Sequence, residues 1–128
     1  MKLIIAGGRD FTNYSALCDA MQEVFEEGFI GPDMLHNTLC GMASGADLLG
    51  ERWAKESGEI VHEYRADWDQ HGRSAGPMRN EEMAEDATHL VAFWDGKSKG
   101  TKNMIDLAIK YGLYIKVFYY TPGSCEIL

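Results

Sequence analysis

His89-Leu90-Val91-Ala92-Phe93-Trp94, running directly into Asp95-Gly96-Lys97-Ser98-Lys99-Gly100-Thr101, decides the fold. After His89, the next five residues form an unbroken apolar run with a β-branched and two aromatic side chains, the pattern of a buried strand. The next seven carry two glycines and two hydroxyl residues, the composition of a turn that enters a helix. Thr101 to Tyr111 then repeats apolar residues at helical spacing, with Ile105, Ala108 and Ile109 inward and Gly112 as the stop.

The same alternation extends in both directions. Leu3 to Ala6 reads as a buried strand ended by Gly7-Gly8. Asn13 to Glu27 reads as a helix carrying Leu17, Met21, Val24 and Phe25. Met34 to Cys40 is a weaker second strand. Ala46 to Glu56 is a helix with Leu48, Leu49, Trp53 and Ala54 on one face, and Ile60 to Tyr64 a third strand. Pro77 to Ala87 is a helix with proline in its first turn, where the missing N–H costs nothing. Leu113 to Tyr119 is a last strand. Strand-then-helix repetition of this kind predicts an α/β fold: one Rossmann-like, three-layer domain over residues 1–128, with a parallel sheet of about five strands. Ligands of such sheets sit outside the carboxyl ends of the strands, beside a topological switch point.

A chain of 128 residues fits one domain. Twenty acidic against twelve basic residues give a formal charge of −8, which disfavours nucleic acid as a partner, because duplex binding depends on Lys and Arg neutralising phosphates. A small anion needs only a local nest of N–H donors and one or two cations. The apolar run at Leu3–Ala6 is too short for a signal peptide or a membrane span, so a cytoplasmic protein without membrane attachment is expected. Cys18, Cys40 and Cys125 show no CxxC spacing and have no neighbouring His. They read as idle thiols, with neither a disulfide nor a metal site.

The strand ends carry the chemistry. The first presents Gly7, Gly8 and Arg9; the second Gly41, Ser44, Gly45 and Asp47. The third presents Asp67 and Trp68, then Gly76, Arg79 and Asn80; the fourth Asp95, Gly96, Ser98, Gly100 and Thr101. Glycine lets backbone approach a ligand, and the following helix offers orphan N–H donors at its positive end. One such turn is more often only a turn, but four on one sheet edge point to a ligand site. Arg79 and Arg9 can grip a phosphate or carboxylate in a fork, or pair with surface carboxylates. Trp68 and Phe11 can stack on a base or cap the core. His71 reads as a solvated loop residue, and His36, His62 and His89 as strand residues without a catalytic role. No G-x-x-x-x-G-K-[ST], no G-x-G-x-x-G after the first strand and no G-x-S-x-G is present.

Together these pieces resemble the SLOG superfamily, named for the Smf/DprA and LOG proteins, and within it the small YspA-like branch. The matching stretches are Ala6–Phe11, Gly41–Asp47 with Leu49 and Trp53-Ala54, Ala66–Trp68, Gly76–Met83, and Ala92–Thr101 with Ile105 and Ala108. The resemblance implies a single SLOG-like Rossmann domain that binds a nucleotide or nucleotide-derived ligand. Sensing, sequestration, nucleotide processing, and conflict between bacteria and phages are the roles it suggests. The sequence shows no requirement for a cofactor beyond a nucleotide-type ligand, and the resemblance allows a dimer or tetramer. In the LOG branch, Gly-Gly-x-Gly-Thr-x-x-Glu and an Arg on the preceding helix support release of a base from a nucleoside monophosphate. Arg79 and Gly100-Thr101 match parts of that pattern, but Met104 stands where the glutamate belongs, and Ser44 where a basic residue is usual. An N-glycosidase or phosphohydrolase alternative therefore uses Asp47, Asp67 or Asp95, with Asp95 the best candidate, together with Arg79 as candidate catalytic residues. Asp47 and Asp67 can instead orient ribose hydroxyls or hold loops.

Overall fold

A computed structural model describes residues 1–31 and 37–128. The chain runs β1 (Lys2–Gly7), α1 (Tyr14–Glu26), β2 (Asn37–Cys40), α2 (Ala46–Glu56), β3 (Ile60–Glu63), α3 (Trp68–His71), a 3-10 turn (Gly72–Ser74), α4 (Ala75–Asp86), β4 (His89–Trp94), α5 (Lys99–Lys110) and β5 (Tyr114–Tyr119). The five strands are parallel, in the order β3-β2-β1-β4-β5. This is the α/β, Rossmann-like sheet expected from the alternating pattern.

Side chains alternate between two cores, as the pleat requires. Leu3 and Ile5 of β1, with Val91 and Phe93 of β4, pack against Leu17, Met21 and Val24 of α1 and Trp53 and Ala54 of α2. Ile4 and Ala6, with Leu90 and Ala92, pack on the opposite face against Met83 and Ala84 of α4 and Met104 and Ala108 of α5. Helices therefore cover both faces, and β1 and β4 are buried almost throughout.

The departures from the sequence reading are local. Helices α4 and α5 each begin two residues earlier than expected, and α3, which includes His71, is a short helix rather than loop. Leu48 is 43% exposed and Ile109 is 64% exposed, so neither faces the core. Met104 takes the inward position on α5, one turn before Ala108. Phe11 is fully buried, with Phe93 and Tyr120 rings each 4.9 Å away, and is a core residue without access to any base. The expected start of the second strand, Met34 to His36, lies outside the described residues.

The order of strands creates the cleft. β1 is followed by a crossover to β2 on one side, whereas β4 pairs with β1 on the other. The loops after β1 and β4 consequently diverge to opposite faces, and a crevice opens between them. Gly8 lies at its base. Its N–H donates to the Phe93 carbonyl at 3.0 Å, and its carbonyl accepts from Phe11 and Ala46. A Cβ there would lie 1.8 Å from the Tyr120 hydroxyl, so only glycine fits.

Candidate functional site

The crevice between β1 and β4 is a cavity of about 590 Å³. Its walls are the loop after β1 (Gly7, Gly8, Arg9), the start of α2 (Asp47), Trp68, the first turns of α4 (Gly76, Arg79, Asn80) and the loop into α5 (Asp95, Ser98, Gly100, Thr101). A side cavity of about 300 Å³ shares Arg9, Ala43, Trp68 and Arg79 with it and adds Gly41, Met42, Ser44, Arg65 and Ala66.

Arg79 is held in place before any ligand arrives. Its Nε donates to Asn80 Oδ1 at 2.9 Å, and its Nη1 donates to the Gly41 carbonyl. Asn80, itself buried, donates to Asn103 Oδ1 at 2.9 Å, which ties α4 to α5. Burial weakens the hold of Arg79 on its proton; the Asp47 charge opposes that effect and the Arg9 charge adds to it.

Asp47 faces the same point from α2. Its Oδ2 accepts from the Ala43 amide at 3.1 Å. Met42, next to Ala43 in this tight loop, takes a left-handed φ of 65°, a conformation that costs on the order of 1 kcal/mol for a side chain of this kind. Burial pushes the Asp47 carboxyl up from 3.8 to about 6, against the pull of the Ala43 amide, Arg79, the Gly7 amide and Arg9. Asp47 is thus poised to change charge near neutral pH.

Asp95 has a different environment. Its Oδ1 accepts from the Lys97 and Ser98 amides at 2.8 and 2.7 Å, and those two bonds lower its pKa. It closes the loop that leads into α5. Ser98 and Thr101 hydroxyls lie 3.4 Å apart, and no side chain caps the first turn of α5. That turn leaves N–H donors for an anion in the crevice.

Fourteen of the seventeen sequence-predicted residues line one or both cavities, Gly41 and Ser44 only the side cavity. Gly45, Asp67 and Gly96 line neither. Gly45 has φ +78°, and a Cβ on it would lie 2.3 Å from the Gly8 carbonyl, so its role is to let α2 start against the β1 loop. Asp67 caps α3 by accepting from the Gln70 amide at 3.1 Å. Gly96, at φ +84°, shapes the turn held by Asp95. The sequence reading misses Asn103 and Arg65. Asn103 stands three residues after Gly100, on the same face of a helix, and Arg65 directly follows the third strand; those positions were the available signals.

No helix among the described residues is long and apolar enough to cross a membrane, and no cluster of metal-ligating side chains is found among them.

The family model for YspA, cpYpsA-related SLOG proteins matches residues 1–71, which contain β1 to β3 and the loops of Gly8 and Gly45. The chain is also similar to the Gene 61 protein of Mycobacterium phage D29, with 32% identity over 127 residues, covering 94% of this chain and 98% of that protein. No solved structure matches significantly.

Proposed function

The chain belongs to the YspA, cpYpsA-related SLOG family, and from that premise we propose that it binds a nucleotide or nucleotide-derived small molecule in the crevice between β1 and β4. The observation that carries this reading is that a guanidinium held in place, that of Arg79, and the uncapped first turn of α5 line one cavity. A phosphate would take its hydrogen bonds from the α5 amides, Ser98, Thr101 and Arg79. Trp68, 48% exposed at the cavity mouth, offers a face for a base.

The protein acts in this reading as a sensor, a sequestering protein or a nucleotide-processing domain. The likeness to a phage protein fits a role in conflict between bacteria and phages. The cytoplasm is the proposed compartment, in keeping with free thiols at Cys18, Cys40 and Cys125. Assembly as a dimer or tetramer belongs to the same proposal and is read by light scattering.

One observation favours a second reading. Asp47 lines the cavity with its carboxyl pushed up to about 6, a value suited to an acid or base in glycosidic cleavage. Asp95 is less suited, since two backbone amides already hold it as an anion. Thermal shift with nucleoside mono-, di- and cyclic phosphates and NAD, followed by chromatography of each mixture, separates the readings. A shift with unchanged ligand supports the binder; free base or phosphate supports the hydrolase. No shift and no turnover across the panel would contradict both.

A further inference from the structure

Three arginines of an otherwise acidic chain gather on the side cavity: Arg9, Arg65 and Arg79. Among the described residues, neither Arg9 nor Arg79 forms an ion pair, and Arg65 keeps only an exposed 3.4 Å contact with Glu63. The Arg9 guanidinium lies 5.8 Å from the centre of the Trp68 ring, and Trp68 lines both cavities. Asp47, the carboxyl whose charge acts on Arg79, accepts from the Ala43 amide. Like charges left together in a concave, partly dry site raise the local potential for anions. Planar guanidinium forks suit phosphate better than any other common anion except carboxylate.

We propose that the side cavity is a second anion subsite, so that the ligand is a nucleotide carrying two separate phosphates. One phosphate sits at the first turn of α5; the other sits between Arg9, Arg65 and Arg79. This inference rests on the nucleotide reading of the main crevice and adds the class of ligand to it. It also gives Arg65 a role that the main cavity does not, because Arg65 lines the side cavity alone.

Calorimetry with adenosine 5′-monophosphate and adenosine 3′,5′-bisphosphate tests it on the intact protein. The bisphosphate is expected to bind at least about tenfold tighter, the effect of one additional charged contact. In Arg65→Ala that preference is expected to fall to near unity. Arg52→Ala removes the same charge from a residue that lines neither cavity and stacks on Tyr14, and is expected to keep it. Equal affinity of the two nucleotides, or a preference that survives in Arg65→Ala, would overturn the second subsite while leaving the main crevice intact. If neither nucleotide binds, both readings fall.

Discussion

Asp47 and Arg79 converge on Gly41: a methyl group added there would lie 2.8 Å from Asp47 Oδ2 and 2.9 Å from Arg79 Nη1. The absent side chain is what lets a carboxyl from α2 and a guanidinium from α4 approach the same backbone position just after β2. They are not a closed ion pair, since each spends its hydrogen bonds on backbone or Asn80. At this point the site therefore sets a cation held by backbone and Asn80 beside a carboxyl whose charge is adjustable.

Removing the cation should remove the ligand. Arg79→Ala is expected to weaken nucleotide binding by about 1.5–3 kcal/mol, the range for hydrogen bonds to charged groups. Arg79→Lys should recover little of it, because an ammonium cannot make the two-pronged contact. Calorimetry on both variants checks this. Tm should also fall modestly in both, through loss of the bond to the Gly41 carbonyl.

The adjustable carboxyl predicts a pH dependence. The folded-state pKa of Asp47 is raised, to about 6 from 3.8. Its stabilising effect relative to a permanently neutral side chain is thus full below 3.8 and lost as pH rises through about 6. Asp47→Asn should accordingly gain in Tm over wild type between these values and keep the gain above them. Ionised Asp47 also repels a phosphate beside Arg79. Nucleotide binding by wild type should strengthen between pH 8 and pH 5.5 more than binding by Asp47→Asn does, and that comparison cancels titration of the ligand itself.

Gly8 and Tyr120 make a packing prediction. The Tyr120 hydroxyl occupies the space a Gly8 Cβ would need, and it donates to Asp10 on the loop that carries Arg9. Gly8→Ala should lower stability by roughly 1–3 kcal/mol, as overpacking of a tight site does. Tyr120→Phe, which removes the clashing oxygen, should make the double variant more stable than the sum of the single losses. Denaturant unfolding of the four proteins reads the coupling directly.

Met104 makes a chemical prediction. It is 1% exposed, packed in the core beneath the cavity. Met104→Glu should lower Tm, because an unpaired carboxylate there loses its hydration. It should release no base from nucleoside monophosphates, a result that chromatography detects. Restoring the glutamate of the LOG pattern alone does not restore the surroundings such a group requires.

The strands and their order of chemistry were legible because β1 and β4 are continuous apolar runs ended by glycines, and because α1 and α2 carry clean helical spacing. The boundaries of α4 and α5 were less so. Ala75 and Gly76 read as loop before a helix starting at Pro77, whereas the helix begins at Ala75, with Gly76 close against Trp68. Ile109 misled for a related reason: spacing alone assigns an apolar stripe, but the stripe that docks on the sheet is centred on Met104 and Ala108. At the site, Gly-rich loops marked the cavity, but no sequence pattern shows that two amides tie down Asp95 or that burial raises Asp47. Those facts arise only when distant segments meet.

The central claim is that a phosphate-bearing nucleotide lies between Arg79 and the first turn of α5. Calorimetric titration of wild type and Arg79→Ala with adenosine 5′-monophosphate tests it most directly. Saturable binding to wild type is expected, weakened by at least about tenfold in the variant. Equal affinity in the two proteins, or no heat of binding to wild type, would contradict it.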